Sequence, residues 1–285
     1  MIHTLFNIKK SILGIAAVAS VLAFGFTACD ELDENERFVE MPAQESKRNV
    51  LVEEFTGQKC TNCPDAHKAL AALSEQYGSN LIAVGIHAGS FAIGEDETNK
   101  YFPVGLKQPE GEEYANKWGD LDALGYPCAV FDRRGSAALL TSGTWDTNIY
   151  EEIQRPTNLD IDLAARVNAA NEIEISTELK PYADMKGKLQ LWVVEDGIVA
   201  SQIDHGSLKK NYVQNHVFRA AVNGTWGEDV TLKPQINQAK TASIAIKDNW
   251  NVANLHIVAF VYNDKDGVLQ AQKAPPVCPT YRVKG

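Results

Sequence analysis

The first ordered pattern along the chain is the run Asn49–Phe55, whose near-continuous apolar positions predict a buried strand, left by the loop Thr56-Gly57-Gln58-Lys59. From Pro64 to Tyr77 the period becomes helical, with Ala66, Leu70, Leu73 and Tyr77 on one face, Pro64 in the first turn and Gly78 as the stop. Leu81–Ile86 is again apolar throughout, as expected of a strand covered on both faces, so 49–87 reads as one βαβ unit. Residues 88–124 interrupt this order with Gly and Pro, with a helix expected at Glu112–Trp118. A strand at the end of Gly125–Phe131, a turn at Asp132-Arg133-Arg134-Gly135, a strand at Ser136–Leu140 and a helix at Trp145–Gln154 follow.

Beyond Arg155-Pro156-Thr157-Asn158 the period changes to strict alternation, as in Leu159, Ile161, Leu163 and then Ile173, Ile175. Further strands are expected at Lys188–Glu195, Val217–Val222, Thr241–Lys247, Leu255–Tyr262 and Val268–Gln272, with Asp264-Lys265-Asp266-Gly267 as a hairpin turn. About seven short strands predict an all-β Ig-like sandwich over 156–274, with a Pro-rich tail at 275–285.

The first 28 residues differ from the rest: Lys9 and Lys10 precede an apolar run from Ile12 to Phe26, then Thr27-Ala28-Cys29, which reads as a signal peptide. The other reading of this run is an uncleaved anchor. The small residues before Cys29 resemble a bacterial lipobox, with Phe26 where Leu is usual, and make Cys29 the lipidated first residue of the mature chain. Residues 29–48 begin Asp30-Glu31-Leu32-Asp33-Glu34-Asn35-Glu36 and read as a solvated tether. That acidic start resembles the export signal of Bacteroidetes lipoproteins bound for the outer face of the outer membrane. The expected location is therefore the outer membrane, through a Cys29 lipid anchor, at the cell surface or on the periplasmic face.

Composition is that of a folded protein, with 45% hydrophobic and 22% charged residues. A net charge of −10 argues against a nucleic-acid partner, which requires clustered Lys and Arg. An envelope location permits disulfides, which directs attention to Cys60-Thr61-Asn62-Cys63. With Cys60 at a helix head, unpaired N–H groups and the helix dipole favour its thiolate, making it the attacking sulfur and Cys63 the resolving one. Lys59 favours that thiolate and Asp65 opposes it. A structural disulfide, or a metal site formed by the pair with His67, are the competing readings. Cys128 and Cys278 allow either a staple between the halves or a third thiol near the pair.

Strand, Cys-x-x-Cys, helix, strand, Gly125-Tyr126-Pro127 before the next strand, hairpin and last helix together resemble the thioredoxin fold. The expected architecture is thus an α/β thioredoxin-like domain at 49–155, carrying the insertion 88–124, followed by the Ig-like sandwich. The resemblance implies that Pro127 is cis and packs against the sulfurs, that Tyr126 faces the pair as a substrate contact, and that Glu54, six residues before Cys60, takes the proton of the resolving thiol. Lys59 stands where thioredoxins carry tryptophan, which implies a narrower client. Together with Gln214–Glu228 and Leu51–Pro64, these residues are also similar to the Bacteroidetes outer-membrane lipoprotein family named for a twenty-eight-kilodalton surface protein.

Three functions follow as expectations. One is thiol–disulfide exchange on a protein thiol or disulfide client, with Cys60, Cys63, Pro127 and Glu54 as catalytic residues and no bound cofactor. Another is a non-catalytic surface adhesion or assembly lipoprotein that uses the fold as scaffold. The last is metal capture by the cysteine pair.

Overall fold

Strand β1 (Val50–Thr56) carries Leu51 and Phe55 to one face and Val50 and Val52 to the other, so both sides of it must be covered. In the computed structural model, which describes residues 47–277, both sides are. The expected signal peptide, the expected lipidation site Cys29, nearly all of the acidic tether and Cys278 lie outside the described residues.

Helix α1 (Cys63–Tyr77) returns the chain to β2 (Leu81–His87), which pairs in parallel with β1. Residues 88–124 then hold α2 (Pro109–Lys117) and the short α3 (Leu121–Leu124). Strand β3 (Cys128–Phe131) lies antiparallel to β1, β4 (Arg134–Leu139) pairs with β3, and α4 (Trp145–Ile153) closes the first half. The second half contributes β5 (Leu159–Val167), β6 (Glu172–Pro181), β7 (Met185–Glu195), β8 (Ile198–Asp204), β9 (Ser207–Gln214), β10 (Val217–Ala221), β11 (Glu228–Leu232), β12 (Gln238–Ala245), β13 (Leu255–Asn263) and β14 (Gly267–Lys273).

The expected sequence of an α/β thioredoxin-like domain and then an all-β Ig-like sandwich is not what forms. The chain is mostly β, and strands of both halves join one nine-stranded mixed sheet in the order β14-β13-β7-β10-β2-β1-β3-β4, with β11 added beside β7. The junction is the parallel contact of β10 with β2, where Gly85 N–H donates to the His216 carbonyl at 2.7 Å. Strands β5, β6 and β12 form a separate three-stranded sheet, and β8 with β9 a two-stranded hairpin. The physical reason lies in β7 and β13, which are too apolar to leave a face in water. Leu189, Leu191 and Val193 of β7 pack with β5 and β6, whereas Trp192 and Val194 face the other way, onto Phe218 and the core beneath α2. A strand buried on both faces belongs inside a wide sheet rather than at the surface of a small sandwich.

Three cores result. One, beneath α2, contains Leu51, Phe55, Ile86, Tyr114, Trp192, Phe218 and Phe260, from both halves. A second joins α1 and α4 to the opposite face of β1, β2 and β3, and a third fills the space between the three-stranded sheet and the β7–β13 end. Arg133 ties the halves together from the β3–β4 turn. Its guanidinium bonds to Glu53 at 3.0 Å and lies 4.4 Å from the Tyr262 ring and 4.8 Å from that of Phe260.

Candidate functional site

Cys60 and Cys63 are joined in a disulfide, with Cα atoms 5.5 Å apart. Helix α1 starts at Cys63, with Asn62 as its N-cap residue and Pro64 in the first turn where a missing N–H costs nothing. Cys63 is thus the first helical residue and Cys60 lies just before the cap, slightly further from the helix than the apolar spacing suggests. Both are buried, at 3% and 0% exposure.

The loop leading into the pair is fixed from two sides. On one, Lys59 N–H donates to the Phe91 carbonyl at 2.9 Å, and Gly57 sits so close to residues 91–92 that an added Cβ would lie 2.4 Å from the Phe91 carbonyl carbon. Only glycine fits there. Gln58 Nε2 donates to the Val104 carbonyl at 2.7 Å, so the insertion braces the loop. On the other side lies the β8–β9 hairpin. Ile203 N–H donates to the Gln58 carbonyl (2.8 Å), His205 N–H to the Thr61 carbonyl (3.0 Å) and Gly206 N–H to Thr61 Oγ1 (2.8 Å). The buried Gln202 amide donates to the carbonyls of Cys60 (2.9 Å) and Gly57 (3.2 Å), and Gln214 holds it in place. His205 also reaches Asp65 at 3.2 Å, and that hydrogen bond lowers the Asp65 pKa.

Glu54 of β1 and His67 of α1 approach each other. His67 is one turn along α1 from Cys63 and therefore on the same helix face. Its Nε2 lies 3.5 Å from Glu54 Oε1 and 3.1 Å from Thr56 Oγ1, and its Nδ1 lies 2.8 Å from the Tyr212 hydroxyl. Burial pushes the Glu54 carboxyl up to about 8, against a smaller opposing effect of the Thr56 hydroxyl. Burial also pushes His67 down to about 4, so the imidazole is neutral at physiological pH. A cavity of about 200 Å³ adjoins these groups, lined by Glu54, His67, Gly85, Tyr212 and His216 among others.

Tyr126, Pro127 and Cys128 lie at the entry to β3. The Tyr126–Pro127 bond is cis, and Pro127 leads directly into β3. The Tyr126 ring packs edge-on against Phe91 at 5.5 Å, with its hydroxyl close to Gly89 and Asp122. Cys128 is a buried free thiol whose pKa burial pushes up to about 12, which keeps it protonated. His87, at the end of β2, is buried and held neutral by desolvation, its pKa near 3. Among the described residues no group of three or more His, Cys, Asp or Glu is arranged to hold a metal ion.

Two contributors, Gln202 and Tyr212, escape a reading of the apolar pattern, because the hairpin that carries them is largely polar. Its signal is the turn Asp204-His205-Gly206-Ser207, where φ is positive at both His205 (46°) and Gly206 (78°), as a two-residue hairpin loop requires.

The family described as outer membrane protein Omp28 matches residues 112–277. Among solved structures, HBP35 of Porphyromonas gingivalis matches with a TM-score of 0.58 at 14% identity, over 82% of this chain and 78% of that one, which is a likeness of fold. A domain of the outer membrane lipoprotein Omp28 from Porphyromonas gingivalis matches at 21% identity and a TM-score of 0.32, over 43% of this chain and 90% of that one. No curated protein matches.

Proposed function

The chain belongs to the outer membrane protein Omp28 family, and on that premise we propose that this outer-membrane lipoprotein carries out thiol–disulfide exchange with envelope or surface proteins through Cys60 and Cys63. The observation that carries the reading is a disulfide across two intervening residues at a helix start, preceded by a strand that carries a buried carboxyl whose burial holds it protonated near neutral pH. Attack by a client thiolate on Cys60 breaks the Cys60–Cys63 bond and leaves the electron pair on Cys63, where the helix N-terminus stabilises a thiolate and Glu54 supplies a proton. A second client thiol then displaces Cys60, and the client leaves as a disulfide. Pro127 shapes the site, and Cys29 anchors the protein in the membrane.

Exchange requires the β8–β9 hairpin to yield, since it covers Cys60. The same burial favours a second reading, in which the disulfide is structural and the protein is a non-catalytic adhesion or assembly scaffold. A Cys63→Ala variant separates the two. In cells it should accumulate mixed disulfides between Cys60 and specific envelope proteins, released by reductant and absent from a Cys60→Ala control. No such adducts would leave the scaffold reading.

A further inference from the structure

Glu54 is enclosed, yet an acid that gives and takes a proton in each exchange cycle must communicate with water. Its Oε1 has no hydrogen-bond partner in the protein and lies 3.5 Å from His67 Nε2, just beyond hydrogen-bond length, while the Thr56 hydroxyl, which hydrogen-bonds to the Glu54 carboxyl, lies 3.1 Å from the same nitrogen. The other ring nitrogen of His67 bonds to the Tyr212 hydroxyl, and Tyr212 stands half-buried at the rim of the small cavity. Carboxyl, imidazole and phenol thus form a line, bridged at its inner step by the Thr56 hydroxyl, from the buried strand β1, through α1, to the covering hairpin. A neutral imidazole suits the central place, because one nitrogen accepts while the other donates.

Resting on the redox reading above, we propose that Tyr212 and His67 form the path along which Glu54 exchanges its proton with solvent, making both positioning residues for exchange at Cys60–Cys63. When Cys63 leaves as a thiolate it takes the Glu54 proton. The resulting carboxylate takes the Nε2 proton of His67, and His67 recovers a proton at Nδ1 from the Tyr212 hydroxyl, which is resupplied by water. When Cys63 is deprotonated in the return half of the cycle, a proton passes outward along the same groups and restores the starting tautomer. In the opposite direction of exchange each proton moves the other way, and no oxidant or reductant beyond the client is involved.

Other groups around this line do not compete for the role. Cys128 from β3 and His87 from the end of β2 are buried and hold one protonation state near neutral pH. His216, in the turn before β10, and Arg219 of β10 are engaged by Asp196 and Glu195. Asp65 on α1 pairs with Lys68 and His205, with Asp204 at the end of β8 beside the same histidine.

The test follows proton exchange at Glu54 directly. The carboxyl stretch of protonated Glu54, assigned by its loss in Glu54→Gln, is followed by rapid-scan infrared spectroscopy after full-length protein is mixed into D₂O. His67→Ala should slow replacement of the Glu54 proton by deuteron by about a hundredfold, the scale of a lost proton-transfer group. Tyr212→Phe should slow it by a smaller factor. Added imidazole should restore the rate in His67→Ala, whereas pyrazole, of similar size but weakly basic, should not. Unchanged exchange in both variants, or equal rescue by the two azoles, would overturn the path. Because this readout does not involve the disulfide, slowed and imidazole-rescued exchange without mixed-disulfide adducts would sink the redox reading and leave the proton path standing.

Discussion

Replacing Glu54 by Gln removes a titrating group and preserves its size. In the folded protein the carboxyl ionises near pH 8 because it is enclosed by β1, β2, β3 and α1, whereas its ordinary value is 4.5. The sign follows from proton binding. Between these limits the folded state holds a proton that the unfolded chain has released, so rising pH favours unfolding. Stability is fully present below about pH 4.5, declines through the window and levels off above about pH 8, and the gap corresponds to about 5 kcal/mol. Urea unfolding of the oxidised protein and of Glu54→Gln, measured side by side from about pH 5 to 9, isolates this quantity. Buried His67 and His87, whose depressed pKa values make acid destabilising below about pH 6.5, are common to both proteins. The stability of the variant relative to wild type should rise with pH at about 1.4 kcal/mol per unit, then flatten. A difference independent of pH would refute the burial and protonation of Glu54.

Other perturbations address the rest of the account. Arg133→Met should cost about 3–5 kcal/mol in urea unfolding by leaving Glu53 charged and unpaired, and adding Glu53→Gln should recover most of the loss. Gln202→Ala, which removes the amide donors to Gly57 and Cys60, should speed reduction of the Cys60–Cys63 disulfide by a phosphine by about tenfold, the worth of two modest hydrogen bonds; an unchanged rate would mean that the hairpin is not the barrier. At Asp196 burial alone would raise the carboxyl pKa, but hydrogen bonds from His216 and His256 outweigh it and hold the group ionised. Asp196→Asn should therefore cost about 1–2 kcal/mol near neutral pH, discounted for its partial exposure, and the difference should shrink as pH falls through the carboxylate range.

Local elements were legible because their signals are local. Helix α1 follows from the spacing of Ala66, Leu70, Leu73 and Tyr77 between Pro64 and Gly78, and β1 and β2 from apolar runs. The place of Glu54 on the strand that leads directly into the cysteine loop also follows from sequence. The joining of the halves is different. The contact of β10 with β2 brings Val217 to Gly85, and nothing near either residue announces the other. The change of period at Pro156 falls between α4 and β5, but β7, β10 and β13 bury both faces, which alternation in one segment does not convey. The hairpin was missed for the opposite reason. Ser201, Gln202 and Gln214 are polar yet buried, because their partners are backbone carbonyls and each other rather than an apolar face.

The central claim is that the Cys60–Cys63 pair exchanges electrons with other proteins, and its reduction potential tests this most directly. Equilibration of the full-length protein with graded thiol–disulfide buffers should give a value above about −300 mV, within reach of envelope thiols. A value below about −300 mV, the range of structural disulfides that resist reduction, would contradict the claim and make the pair a staple of the fold.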